Sequence, residues 1–109
     1  MSRRVVVTGV GLVSSVGIGT QASWQALLAG QCGIDRITHF DPAGFAVQIA
    51  GEVKGFDPLQ FLEKKDVKKC DPFIQFALAA SQFAVEDAGL QVTEANADQV
   101  GVFILQGMA

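Results

Sequence analysis

The stretch "DPFIQFALAASQFAVEDAGL", residues 71–90, limits what this chain can fold into more than any other. Asp71 suits the residue ahead of a helix, Pro72 its first position and Gly89 the position past its last turn. These signals predict a helix over 72–88. Between them, Phe73, Ile74, Phe76, Leu78, Phe83 and Val85 do not keep to one apolar stripe, and only Gln75, Gln82 and Glu86 form a narrow polar line. A helix apolar nearly all round is enclosed by protein, so a layered architecture is expected, with sheet or helix on both sides.

The remaining elements are few. Residues 3–8, "RRVVVT", form a β-branched run suited to a strand buried on both faces. In "TQASWQALLAG", Thr20 is placed to cap a helix, Trp24, Leu27 and Leu28 share its face, and Gly30 closes it. "DRITHFDPAGF" reads as loop, with Asp41-Pro42 and Gly44 as turn signals. Residues 45–53, "FAVQIAGEV", alternate as a strand does, and "QVGVFIL" reads as a third strand after the polar "TEANAD". Three strands and a two-sided helix do not close a core. The 109-residue chain is 50% hydrophobic, with a mean hydropathy of +0.35. A domain this size buries only about two thirds of its unfolded surface. Residues 1–109 are therefore expected to be an α/β piece of something larger.

Several classes are excluded. A net charge of −3 and a pI near 4.9 do not favour nucleic acid or an anionic membrane as partner. The apolar run behind "MSRR" is cut short by Thr8 and Gly9, too soon for a signal peptide. No window approaches the roughly 18 apolar residues of a membrane span. Cys32 and Cys70 make neither a disulfide framework nor a metal-ligand pattern. A cytoplasmic protein with reduced thiols and no metal is expected.

"VVVTGVGLVSSVG", residues 5–17, raises the question of a nucleotide site. A dinucleotide loop needs Gly-x-Gly-x-x-Gly with a helix starting inside it, so that helix N–H groups meet the pyrophosphate. Gly9 and Gly11 match, but Ser14 stands at the third glycine, and Gly17 and Gly19 interrupt the chain before Thr20 can start a helix. Asp35, the sole acidic candidate further on, does not end a strand. The glycines are read as a turn needing unusual backbone angles. No cofactor is expected; tight binding of NAD or NADP would restore a dinucleotide-enzyme reading.

"RRVVVTGVGLVSSVG" followed by "SWQALLAGQCGI" resembles the N-terminus of the β-ketoacyl-acyl-carrier-protein synthases, the condensing enzymes of fatty acid synthesis. Those proteins open with V-V-V-T-G-x-G-x-x-S-P-x-G and then W-x-x-L-x-x-G-x-S-G-I. Ser15 departs from the proline usual there and Cys32 from the serine. "HFD", "FAVQIAGEVKGFDP", the helix 72–88 and "VGVFI" extend the likeness across residues 3–104, on the side of the elongating synthase II type. The resemblance implies a thiolase-like αβαβα layered fold, present here as an incomplete N-terminal part. It also implies a cysteine nucleophile and two histidines that assist decarboxylation of malonyl-carrier protein and stabilise the developing charge. Their motifs lie downstream of residue 109. The full-length protein would then be a 3-oxoacyl-acyl-carrier-protein synthase, and the 109 residues alone would be inactive. His39 is read as a loop residue, and Cys70, beside Lys68 and Lys69, as an incidental thiol, like Cys32.

"KKDVKK", residues 64–69, sets four lysines against an acidic background. By itself this is a solvated basic face. The resemblance makes Lys65, Lys68 and Lys69 contacts for the acidic acyl carrier protein, with Lys64 a neighbour. It further implies a homodimer. At "ILQGMA", Gly107 matches the family and Met108 takes an acyl-pocket position, while Leu105 and Gln106 replace a glycine and a serine. The competing reading is a non-catalytic module that binds carrier protein or a complete synthase. Such a module should be monodisperse and unfold cooperatively; an orphaned piece of a layered core should aggregate or pack loosely.

Overall fold

A computed structural model describes residues 2–107. In chain order it contains β1 (Val13–Ser14), β2 (Gly17–Ile18), α1 (Thr20–Leu28), β3 (Ile34–Arg36), β4 (Ile49–Gly51), α2 (Lys64–Val67) and α3 (Pro72–Ala88). Short 3-10 turns lie at Pro58–Gln60 and Ala97–Gln99. β1 and β2 form one antiparallel hairpin, β3 and β4 another, with Ile34 opposite Gly51 and Arg36 opposite Ile49.

Both long helices stand where the sequence places them, and both end alike. Gly30 (φ 74°) and Gly89 (φ 66°) take the left-handed conformation that closes a helix. At each end two N–H groups fold back on the last turn: Gly30 to Leu27 and Gln31 to Ala26, Gly89 to Glu86 and Leu90 to Val85. The start of α1 differs from expectation, whereas Asp71 and Pro72 open α3 where the sequence puts them. Gly19, at φ 101°, is the residue ahead of α1, and the Thr20 hydroxyl donates instead to the Val10 carbonyl at 3.0 Å. Asp71 precedes α3 in extended geometry, but its backbone carbonyl, not its side chain, accepts from Ile74 and Gln75.

The glycine pair finds its purpose on α3. A Cβ at Gly9 would collide with the Ala84 carbonyl and lie 2.6 Å from the Ala88 nitrogen. At Gly11 it would collide with the Ala80 carbonyl and lie 2.6 Å from the Ala84 nitrogen. Ala80, Ala84 and Ala88 recur every four residues and make one smooth face on which residues 9–11 run at backbone distance. The Val10 N–H donates to Asp87 Oδ2 at 2.9 Å and fixes the register. The expectation of unusual backbone angles is corrected: neither Gly9 nor Gly11 has positive φ. Close approach, not backbone torsion, calls for glycine there.

A small polar knot holds the first hairpin to α1. Ser23 is 1% exposed, shares a 2.8 Å hydrogen bond with Ser14 and donates to the Gly17 carbonyl at 3.1 Å. Further along, aromatic rings tie the middle of the chain to α3. Phe56 stacks on Phe61 at 5.5 Å, Phe56 meets Phe76 edge-on at 5.0 Å, and Phe61 meets Phe83 edge-on at 5.4 Å.

The strands depart from expectation. Residues 3–8 carry no sheet pairing among the described residues, and neither does 100–107. The strand expected over 45–53 contracts to β4, and its partner β3 lies at the edge of what reads as loop. The reason is the absence of neighbours: a strand is stabilised by ladder bonds and cross-strand pairs, which residues 3–8 and 100–107 do not find within 2–107. Apolar side chains are correspondingly bare. Val5 and Phe103 are 92% exposed and Leu105 is 96% exposed, whereas the buried apolar residues among the described ones are small: Ala26, Pro42 and Ala79. The accessible surface is 8922 Å², against about 5,800 Å² for a compact protein of this mass. The radius of gyration is 17.0 Å, against about 13 Å. The described residues form an open α/β frame whose apolar faces await further layers.

Candidate functional site

The lysine segment sits on a built platform. Asp57 starts the turn at Pro58–Gln60 by accepting from the Leu59 N–H at 3.0 Å, and the Phe56 and Phe61 rings on either side lock that turn onto α3. The chain then enters α2. Its far end is stapled to α3 by Gln75, whose Nε2 donates to the Cys70 carbonyl at 3.0 Å and to the Val67 carbonyl at 3.4 Å. α2 is a single turn held at both ends, not a free basic run.

Lys64, Lys65, Lys68 and Lys69 are all exposed. Lys65 and Lys68 stand three residues apart and Lys65 and Lys69 four, the spacings that share one side of a helical turn. Lys65 Nζ lies 3.4 Å from Glu63 Oε2, both side chains being about three-quarters exposed, so this ion pair is weak and open to exchange. Lys68 and Lys69 make no ion pair among the described residues. Glu63, Asp66 and Asp71 interleave with the lysines, so the segment is a row of cations edged with carboxylates.

Of the other singled-out residues, only Cys70 adjoins this platform. Cys70 is half-buried behind Lys69, and Cys32 is exposed, its thiol directed at the Ile34 carbonyl at 3.8 Å. His39 lies in the loop after β3, as expected, with Nε2 3.4 Å from Glu52 Oε2. Glu52, only 10% exposed, also accepts from the Thr38 N–H at 3.0 Å, the Thr38 hydroxyl at 3.0 Å and the His39 N–H at 3.2 Å. Burial pushes the Glu52 carboxyl up, but these hydrogen bonds and the His39 charge outweigh it, and its pKa lies below the ordinary 4.5. The group anchors a loop. Met108, read as an acyl-pocket residue, lies outside the described residues. Among the described residues no group of three or more His, Cys, Asp or Glu is placed to hold a metal ion, and no helix is long and apolar enough to cross a membrane.

Two depressions escape a reading of sequence alone. One, of about 600 Å³, lies between α1 and α3, with Trp24 and Leu28 on one wall, Phe83 and Glu86 on the other and Val10 in its lining. The second, of about 440 Å³, is an almost wholly apolar groove between Phe73, Ile74 and Leu78 of α3 and Val102 and Ile104 near the end of the described residues. The first mixes Trp24, Leu28 and Phe83 with polar residues such as Thr20, Gln25 and Asp87, and the second is lined by ordinary apolar side chains, which carry no site signal until the fold leaves them uncovered.

Known proteins resolve what this frame belongs to. The family model described as beta-ketoacyl synthase, N-terminal domain, matches residues 2–109. A Vibrio cholerae serotype O1 protein named 3-oxoacyl-(acyl-carrier-protein) synthase 2 is 54% identical over 106 residues, 97% of this chain and 26% of its own length. The Synechocystis protein of the same name is 47% identical over the same shares. Among solved structures, the ishigamide ketosynthase/chain length factor superposes with a TM-score of 0.70 at 38% identity, covering 79% of this chain and 21% of that one. The chain spans about a quarter of the length of the curated relatives it matches. The open α/β frame is thus part of a thiolase-like fold, and the chain belongs to the beta-ketoacyl synthase family, in the N-terminal region of its synthase II type.

Proposed function

We propose that this chain is the opening part, residues 1–109, of the N-terminal domain of a 3-oxoacyl-acyl-carrier-protein synthase. The whole protein would be an acyltransferase of cytoplasmic fatty acid synthesis that condenses an acyl thioester with malonyl-carrier protein. The single observation that carries the reading is 54% identity, over 97% of the chain, to a protein named for that activity. The cysteine nucleophile and the two histidines come from beyond residue 109, so the 109 residues perform no condensation by themselves. Their work is to supply layers of the frame and a docking edge. Lys65, Lys68 and Lys69 receive the acidic carrier protein, Met108 borders the acyl chain, and the complete synthase is a homodimer without a resident cofactor. The location of the lysines supports the docking role: the backbone on either side of them is pinned, so the segment that carries them is ordered before a partner arrives. A free-standing binding module fits less well, because such a module does not leave some 3,000 Å² more surface open than a compact protein of its mass, roughly.

The test is a fusion in which residues 1–107 replace the matching segment of the Vibrio cholerae synthase. Condensation of an acyl-carrier with a malonyl-carrier thioester at near the parental rate is expected. A soluble, dimeric fusion that binds carrier protein yet forms no 3-oxoacyl product would overturn the reading.

A further inference from the structure

The polar line on α3, Gln75, Gln82 and Glu86, divides in two. Gln82 Nε2 donates to Glu86 Oε1 at 3.1 Å, four residues on, so these two serve each other within the helix. Gln75 reaches out of it. Half-buried in the first turn of α3, it gives both hydrogens of its amide nitrogen to another segment, donating to the Cys70 carbonyl at 3.0 Å and to the Val67 carbonyl at 3.4 Å. Both partners are acceptors, which fixes the orientation of the amide. Its backbone is held as well, since the Gln75 N–H donates to the Asp71 carbonyl at 3.2 Å.

The two carbonyls bracket Lys68 and Lys69. α2 spans four residues, far short of the roughly 12–15 at which a helix begins to hold its shape unaided in water. The bonds that carry the turn through these lysines weaken along it: the Lys69 N–H lies 3.0 Å from the Asp66 carbonyl, the Cys70 N–H 3.4 Å from that of Val67. Carbonyls at the end of a helix lack partners within it, and Gln75 supplies one from α3. The Phe56 and Phe61 rings brace the chain ahead of α2, so on the far side the clamp is this amide. We infer that Gln75 is a positioning residue for carrier docking: without touching the carrier protein, it holds the backbone of residues 67–70 so that Lys68 and Lys69 are presented from an ordered turn. A segment ordered in advance loses less freedom when its partner arrives. Gln75 therefore contributes to capture of the carrier, not to the bond-forming step. The inference rests on the docking reading above, and the experiment separates the two.

In the Vibrio cholerae fusion, Gln75→Met keeps the length and helix preference of the side chain but removes the amide. Gln75→Asn keeps an amide on a side chain one methylene shorter, which cannot span to both carbonyls, and it carries the same test should the Met variant be insoluble. Each should lower kcat/KM for the carrier-protein thioesters about threefold, through KM and with kcat unchanged. In a fusion that already bears Lys68→Ala and Lys69→Ala, neither should cost anything more, because nothing is left to position. An equal loss in that background, a fall in kcat in place of a rise in KM, or full kcat/KM in either Gln75 variant overturns the positioning role and leaves the docking reading standing. An active fusion indifferent to Lys68→Ala with Lys69→Ala overturns the docking reading and this inference with it. A soluble fusion that forms no 3-oxoacyl product overturns both together with the proposed activity.

Discussion

Gly11→Ala puts a single methyl group between residues 9–11 and α3, and the sign of its effect is decided by the geometry. At a permissive position, Gly→Ala stabilises a protein by about 0.4–1 kcal/mol by restricting the unfolded chain. Gly11 does not have positive φ, so its backbone presents no obstacle. The obstacle is space: the new Cβ would meet the Ala80 carbonyl and approach the Ala84 nitrogen at 2.6 Å and Phe83 Cβ at 2.9 Å. Two of the three are backbone atoms of a helix, which cannot swing aside as a side-chain tip can. The segment must lift, at an overpacking cost of about 1–3 kcal/mol. Lifting also strains the Val10–Asp87 and Thr20–Val10 hydrogen bonds, worth about 1 kcal/mol each. Set against the unfolded-state gain, the net loss is about 1–2 kcal/mol, a factor of roughly 5–30 in local opening. Hydrogen exchange by mass spectrometry over residues 76–88 reads that factor directly and requires no cooperative transition of the whole chain. Gly107→Ala, where nothing lies within 4 Å and φ is not positive, is the control and should leave exchange unchanged. Protection in Gly11→Ala equal to or above the parent would refute the close-approach account of the glycine pair.

Gly89→Ala should weaken protection in the last turn of α3 by about 1 kcal/mol, because φ 66° is left-handed while the space is open; an unchanged last turn on hydrogen exchange would contradict it. Ser23→Ala should cost about 1 kcal/mol, seen as roughly fivefold faster exchange in α1, since Ser14 loses its buried partner but keeps the Gly17 carbonyl. The Glu52 anchor should be pH-dependent in one direction. Its carboxyl has a lowered pKa in the folded chain, so the stabilisation is full above the ordinary 4.5 and lost as pH falls through the lower folded value. Intrinsic-rate-corrected exchange at Thr38 and His39 should rise there, and Glu52→Gln should abolish that pH step. In the Vibrio fusion, replacing Lys65, Lys68 and Lys69 together by Ala should lower kcat/KM for carrier-borne substrates about tenfold, with kcat nearly unchanged and the salt dependence reduced. Full retention of kcat/KM would remove the lysines from docking.

What could be read from sequence was what is settled locally. The helix 72–88 declares itself through Pro72, Gly89 and a run of good helix formers, and α1 through Gly30; each of these signals acts within a turn of its own position. The expected cap of α1 misled for a non-local reason. Thr20 has the right chemistry to cap α1, but its hydroxyl is taken by Val10, whose carbonyl is brought there by the chain crossing α3. Strands suffer the same fate more severely, since their existence depends on pairing partners anywhere in the protein. "VVV" and "VGVFIL" have strand composition, and they remain unpaired among the described residues because residues 2–107 do not contain their neighbours. The lysine row was visible as charge, whereas the aromatic bracing by Phe56, Phe61, Phe76 and Phe83 that gives it a fixed place was not, because no periodicity links those positions.

The Gly-x-Gly at residues 9–11 shows why one short pattern serves two unrelated purposes. A phosphate loop uses glycine so that a ligand reaches backbone N–H groups; this chain uses it so that a helix reaches the backbone itself. Both uses delete Cβ for proximity, and the pattern alone does not say what approaches. The distinguishing signal lies about seventy residues away, in Ala80, Ala84 and Ala88, whose four-residue spacing marks a helix face smooth enough for a backbone segment to lie on. The Val10 N–H, between the two glycines, is already engaged by the Asp87 carboxylate. With that N–H taken and a helix backbone against both glycines, the pair works in this chain as a packing joint that seats residues 9–11 on α3.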